Sequence, residues 1–251
     1  MFKIALTRAT SDWGMKYLNR FAETNVIGVN TPNEIVPRCK GMDALLCRGV
    51  GDMSEALFRG LAEENVKVVA SHGTGLDGCD LSAATKYGIP VVYAPGANAR
   101  SVAEYTVSAM LAMIKEINIC TEQAHSGNFS AKWQYKTREF RNMNLYVIGF
   151  GNIGRQVAEM CHGLGMNIMV HDKYVSRSQV EALGYKHYQN LYDGLPEADI
   201  VTLHTPLTDE TRGIAGTKMF DKMKRGSYFI NTARGDLVDE DEICRRIENG
   251  H

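Results

Sequence analysis

Residues 145–172 read LYVIGFGNIGRQVAEMCHGLGMNIMVHD, and this stretch decides the fold. A short apolar run of strand composition closes on Gly149-Phe150-Gly151-Asn152-Ile153-Gly154, a helical stretch follows, and a second apolar run ends on Asp172. A lone G-x-G-x-x-G is a weak signal. Here it has a strand before it, a helix after it and an acidic residue 18 positions past the last glycine, the context of a dinucleotide-binding βαβ unit. Each glycine has a physical reason. Gly149 permits the tight turn, Gly151 lets backbone approach a pyrophosphate, and Gly154 lets helix and strand pack closely. The helix start then offers unpaired amides and a partial positive charge to phosphate. A carboxylate at Asp172 accepts hydrogen bonds from ribose hydroxyls and repels a 2′-phosphate, so the pattern implies NAD before NADP. Lys173 and Arg177 lie close enough to soften that preference.

Working outward, strand-like runs follow near DIVTLH and SYFIN, with YKHY between NIMVHD and DIVTLH, giving five strands from the restart at LYVIG. The N-terminal half repeats the layout with FKIAL, DALLC, VKVVA and IPVVYA, and NVIGV as a weaker fifth. Strands alternating with helices from end to end place the chain in the α/β class, as two doubly wound parallel sheets, one flavodoxin-like and one a Rossmann domain. Pro95-Gly96 punctuates the chain, and the boundary falls near Asn98, separating a substrate domain at 1–97 from a dinucleotide domain at 98–251. Beyond it a helix is expected over residues 101 to about 121. Ser101 and Glu104 form a capping-box pattern, with a ligand role as the alternative, and Val102, Tyr105, Ala109, Met113 and Ile117 lie on one face. Phe129, Trp133 and Tyr135 admit two readings, a partner surface or the domain's own flank.

Bulk properties narrow the function classes. A 251-residue chain with 44% apolar and 23% charged residues and a formal net charge of -1 offers no basic field for nucleic acid. No apolar run approaches the ~18 residues of a membrane span, and the N-terminus lacks a signal-peptide pattern, which points to a cytoplasmic protein. Six scattered cysteines without C-x-x-C spacing read as reduced packing residues, and no metal site is expected. The loop SHGTGLDG, at the carboxyl end of a strand, is a second site candidate; Gly73, Gly75 and Gly78 suit tight turns there.

Residues 73–106, 147–158, 198–213 and 223–243 closely resemble the D-isomer-specific 2-hydroxyacid dehydrogenases, a family that includes phosphoglycerate dehydrogenases and glyoxylate/hydroxypyruvate reductases. The resemblance implies an N-terminal substrate domain, a nicotinamide domain and a cleft for hydride transfer between NAD(H) and a small D-2-hydroxy or 2-oxo acid. It implies that His72, Gly73, Thr74 and Gly75 hold the substrate carboxylate and that Arg234 binds and polarises the 2-oxo acid. It also implies that Asn152, Ile153, His204, Thr205, Pro206, Thr211, Thr232, Ala233 and Arg234 contact the dinucleotide. Arg48 is placed like a substrate-binding arginine of phosphoglycerate dehydrogenases, and Val50 lies among the determinants of substrate choice. A homodimer is implied, with the long helix and the WQY segment as its arm.

The family's acid/base histidine and its carboxylate partner belong to motifs beyond the helix DEICRRIENG, and a sixth strand is expected after Gly250. The sequence therefore reads as a dehydrogenase whose dinucleotide domain lacks its last strand. The alternative is an NAD-binding regulatory or interaction module without turnover. Among the other histidines, His72 is the leading substitute acid, while His125, His162, His171 and His187 show no partner pattern and His251 is a chain end.

Overall fold

The computed structural model describes residues 1–49 and 52–250, so the expectations at Val50 and His251 lie outside the described residues. The chain divides into two compact units, Met1–Ala97 and Asn98–His251.

The first unit runs β1 (Phe2–Leu6), α1 (Asp12–Leu18), β2 (Ala22–Val26), α2 (Pro32–Arg38), β3 (Ala44–Cys47), α3 (Glu55–Glu63), β4 (Val68–Ser71), α4 (Leu81–Lys86) and β5 (Val91–Val92). Its strands are all parallel in the order β2-β1-β3-β4-β5, the flavodoxin-like winding. The weak fifth strand sits upstream of its expected place. The strand is AETNV, not NVIGV, and Gly28 at φ 69 takes the chain out of the extended region. Leu45, Val69, Leu57, Phe58 and Leu61 are fully buried in this unit's core, each such side chain contributing about 1.5–3 kcal/mol.

The second unit begins with α5 (Ala99–Ile114) and α6 (Ile117–His125). It continues β6 (Asn144–Ile148), α7 (Asn152–Gly163), β7 (Asn167–His171), α8 (Arg177–Glu181), β8 (Lys186–His187), β9 (Ile200–Leu203), α9 (Thr217–Phe220), β10 (Tyr228–Asn231) and α10 (Glu240–Glu248). The order β10-β9-β6-β7-β8, again all parallel, is the Rossmann winding counted outward from its first strand. Period-two alternation along β6 builds both faces of a three-layer sandwich. Leu145 and Val147 pack into the core under α5 and α7, whereas Tyr146 and Ile148 pack into the core beside α9.

Three expectations about the helix after the boundary are corrected. It starts at Ala99 with Asn98 as N-cap, so Ser101 lies inside the first turn and forms no capping box; Glu104 pairs instead with Arg100, one turn back, at 2.6 Å. It ends at Ile114 because Glu116 adopts a left-handed conformation, φ 50, and a separate helix begins at Ile117. Its buried face is Ala103, Thr106, Val107, Met110 and Ile114, packed with Val157, Ala158 and Cys161 of α7. The other apolar stripe is largely outward, with Tyr105 69% and Met113 43% exposed, and Ile117, at the start of α6, is 47% exposed. The cysteines divide as well. Cys39, Cys47 and Cys161 are buried, the last two with thiols pushed up to about 12 by burial, but Cys244 is exposed.

Candidate functional site

Three loops meet at the carboxyl end of β6, because β7 and β9 are its two neighbours and all three strands run the same way. The central loop is the glycine turn. Gly149 has φ 93, and a Cβ there would lie 2.6 Å from the His204 carbonyl carbon and 2.8 Å from the Thr205 nitrogen. The turn thus rests directly on the backbone after β9. Gly154 is buried, and its Cβ would lie 2.1 Å from the Gly149 carbonyl oxygen, which is the close packing of helix start on strand end that a glycine allows. Gly151 differs: no atom lies within 4 Å of the position its Cβ would take. That open space faces the start of α7, whose N-cap is Gly151 and carries no side-chain cap. The first amides of the helix, including those of Asn152 and Ile153, have no intrahelical acceptor and form a partially positive end.

The loop after β7 closes one side. Asp172 accepts from the Phe150 amide at 2.7 Å through Oδ2 and from the Tyr174 and Val175 amides at 2.8 and 3.1 Å through Oδ1. A carboxylate has about four acceptor positions, so roughly one remains for a ligand hydroxyl. Two ribose hydroxyls held at once, as the sequence reading has it, exceed that capacity unless a backbone bond is shared. Phe150 itself is buried, with the Arg155 guanidinium 4.5 Å from its ring centroid. Neither cation expected to soften the choice of NAD is uncommitted: Lys173 Nζ lies 2.7 Å from Glu210, and Arg177 Nε lies 2.7 Å from Glu181.

The loop after β9 closes the other side. His204 Nε2 lies 3.1 Å from the Thr202 hydroxyl, and burial lowers its pKa to about 4, so the ring is neutral at physiological pH. The Thr205 hydroxyl oxygen is buried without a hydrogen-bond partner. An orphaned polar atom at this depth costs about 1–3 kcal/mol, which a ligand that bonded it would return. Thr211 donates to the Pro206 carbonyl at 2.7 Å and accepts from the Thr208 amide at 2.8 Å, so its hydroxyl shapes the loop.

After β10, Asn231 forms the turn that presents Arg234. Its side chain accepts from the Ala233 amide at 3.0 Å and donates to the Arg234 carbonyl at 2.6 Å, and the exposed Arg234 guanidinium reaches the Ala233 carbonyl at 2.8 Å. Thr232 lies 2.8 Å from the buried Thr106 hydroxyl, which itself donates to the Val102 carbonyl, tying the end of β10 to α5. Phe150, Arg155, Thr106 and Asn231 were not singled out from the sequence. Asn231 was findable, since an Asn ending a strand two residues before a loop is an Asx-turn signal.

The first unit carries its own loop cluster. The His72 and Gly73 amides are used internally, donating to Cys47 at 2.8 Å and Ser71 at 2.9 Å. The amides of Thr74 and Gly75 have no backbone acceptor among the described residues. The chain turns tightly at Gly73, whose amide returns to the Ser71 carbonyl, without a positive φ there, and a Cβ at this position would meet open space. Arg48 is fixed to the loop after β1. Its amide donates to the Thr7 hydroxyl at 2.8 Å and its guanidinium to the Ala9 carbonyl. No cluster of metal-ligating side chains occurs among the described residues. Nor is any helix among them long and apolar enough to cross a membrane.

The residues after β6, β7 and β9 fit a dinucleotide: an open space over Gly151, an uncapped helix end, an acceptor at Asp172 and an orphaned hydroxyl at Thr205. Comparison with known proteins agrees. Residues 107–251 match the family model of the D-isomer specific 2-hydroxyacid dehydrogenase, NAD binding domain. The chain is 34% identical over 250 residues to a D-3-phosphoglycerate dehydrogenase of Methanocaldococcus jannaschii, covering 100% of this chain and 47% of that one. It is 34% identical over 217 residues to a hydroxypyruvate reductase of Thermotoga maritima, covering 86% of this chain and 68% of that one. Among solved structures, the apo D-lactate dehydrogenase of Escherichia coli matches with TM-score 0.85 and 27% identity, covering 99% of this chain and 79% of that one. The chain spans about half the length of the curated phosphoglycerate dehydrogenases it matches. The chain belongs to the D-isomer-specific 2-hydroxyacid dehydrogenases, and its second unit carries their NAD-binding domain.

Proposed function

We propose that this chain serves hydride transfer between NAD(H) and a small D-2-hydroxy acid or its 2-oxo acid, of the phosphoglycerate, hydroxypyruvate or glyoxylate type. The observation that carries the reading is the open space over Gly151 at an uncapped helix start, with Asp172 and the orphaned Thr205 hydroxyl on the loops after the two neighbouring strands. NAD, when bound, supplies the hydride acceptor or donor. The chain's residues bind and orient. Gly149, Gly151, Asn152, Ile153 and Gly154 cradle the pyrophosphate, with Asp172 on the ribose. His204, Thr205, Pro206, Thr211, Thr232 and Ala233 border the remaining length. A neutral His204 adds no charge beside the phosphates, so the positive charge there comes from the helix end and from Arg155 in its first turn.

For the substrate, the Thr74 and Gly75 amides in the first unit suit a carboxylate, with His72 and Gly73 holding that loop in shape and Arg48 beside it. Arg234 suits the 2-oxo acid, since a guanidinium fork holds carboxylate and carbonyl oxygens together and polarises the carbonyl toward hydride. Two chains pairing through the outward stripe of Tyr105, Met113 and Ile117, with Phe129 and Trp133 also exposed, would account for that apolar surface. Six unpaired thiols suit a reducing compartment such as the cytoplasm.

The test is NADH consumption with hydroxypyruvate, glyoxylate, 3-phosphohydroxypyruvate and pyruvate, by the chain as it stands and by Arg234→Ala. The reading expects a preferred 2-oxo acid and a drop of roughly ten- to a hundred-fold in kcat/KM without Arg234, the loss of one or two charge-assisted bonds. NADH binding without turnover of any 2-oxo acid would favour a binding module instead.

A further inference from the structure

The ion pair between Lys173 and Glu210 joins the two outer loops of the dinucleotide site. Lys173 follows β7 and Glu210 belongs to the loop after β9, so the pair spans two strand spacings, roughly 10 Å, past the carboxyl end of β6. Lys173 is adjacent to Asp172, the acceptor placed for the adenosine ribose. An ammonium beside that ribose is the group that would reward a 2′-phosphate, because it offsets the repulsion from Asp172. Here the ammonium is drawn away: its Nζ donates to Glu210 at 2.7 Å, and its other neighbour is the Tyr174 ring, at 5.9 Å. The second cation of the region, Arg177, is held one turn along its own helix by Glu181 at 2.7 Å and does not replace it.

Resting on the dinucleotide reading above, the geometry points to Glu210 as a specificity-determining residue that keeps the site selective for NAD by withholding Lys173 from a 2′-phosphate. Glu210 acts through Lys173 and is a positioning residue. Both side chains are well exposed, so the effect is moderate and sensitive to salt. Glu210 also raises the Lys173 pKa, chiefly through their hydrogen bond, which gives a readout independent of any cofactor.

The experiment titrates the folded chain with NADH and with NADPH by nicotinamide fluorescence, at low and high salt. It uses the unaltered chain, Glu210→Gln, Lys173→Gln and the double variant, and follows the Lys173 ammonium by NMR. Glu210→Gln should tighten NADPH roughly three- to ten-fold at low salt, the scale of an exposed charge interaction, and change NADH less than two-fold. The gain should vanish in the double variant, and the Lys173 pKa should fall when Glu210 is neutralised. Unchanged NADPH affinity in Glu210→Gln with NADH binding intact, a gain that survives removal of Lys173, or an unmoved Lys173 pKa would each overturn the assignment. Failure of the folded, unaltered chain to bind NADH would instead overturn the dinucleotide reading and this inference with it.

Discussion

Alanine at Gly149 and alanine at Gly151 should behave in opposite ways, although both residues belong to one motif. At Gly149 the backbone sits at φ 93, and the new methyl would lie 2.6–2.8 Å from the His204 carbonyl group and the Thr205 nitrogen, all backbone atoms. An L-residue in the left-handed region costs about 1–2 kcal/mol, and forcing packed backbone aside costs about 1–3 more. The expected loss is about 2–5 kcal/mol. At Gly151 nothing lies within 4 Å and φ is -83, so stability should change by no more than about 0.5 kcal/mol. There the methyl would occupy the space proposed for the pyrophosphate, and NADH affinity should fall by about ten-fold or more, some 1.4 kcal/mol. Urea unfolding followed by circular dichroism reads the first effect and NADH titration the second. With a urea slope of about 1–3 kcal/mol/M, Gly149→Ala should shift the midpoint of the second unit by about 1 M or more. A Gly149→Ala protein as stable as the original, or a Gly151→Ala protein that binds NADH unimpaired, would refute the division of labour between the two glycines.

The remaining predictions concern single side chains. Thr205→Val removes a buried hydroxyl that has no partner, so it should raise stability of the free protein by up to about 1 kcal/mol while weakening NADH, and a melt together with a titration separates the two effects. His204 has a pKa lowered by burial to about 4, against about 6.5 when unfolded, so the unfolded chain binds the extra proton in that window. Stability should therefore fall as pH drops from about 6.5 to 4, by at most about 3 kcal/mol, and His204→Gln should flatten that slope in denaturant titrations at several pH values. Glu116 holds φ 50 between α5 and α6; Glu116→Gly should relieve the left-handed strain and raise the melting temperature slightly, for a gain of up to about 1 kcal/mol.

How much of this was legible in the sequence follows from where the signals are local. Four of the five strands of the second unit were readable as short apolar runs bounded by turn residues, β8 (Lys186–His187) being polar and only two residues long, and the glycine motif told which strand comes first in the winding. The helix over residues 99–114 was misread in its orientation for a physical reason. It carries two apolar stripes, and periodicity cannot choose between Val102-Tyr105-Ala109-Met113 and Ala103-Val107-Met110-Ile114 when only packing against α7 separates them. The capping box failed because Asn98 started the helix earlier and Arg100 captured Glu104, a competition that spacing alone does not settle. Glu116 gave no warning, since nothing marks a glutamate for the left-handed region. At the site, backbone roles were legible and side-chain commitments were not. Two of the Asp172 bonds are local, to the Tyr174 and Val175 amides, but its bond to the Phe150 amide and the capture of Lys173 by Glu210 depend on loops 22 and 37 residues apart in the chain, and the orphaned state of Thr205 likewise depends on tertiary packing.

The central claim is that the carboxyl edge around β6 is a dinucleotide site, and hydrogen exchange of the folded chain with and without NADH tests it most directly. Saturable NADH binding that protects the amides of residues 149–154, with secondary protection near residues 172 and 205, is the predicted result. A folded chain that binds no NADH, or one whose protection appears elsewhere while residues 149–154 exchange unchanged, would contradict it.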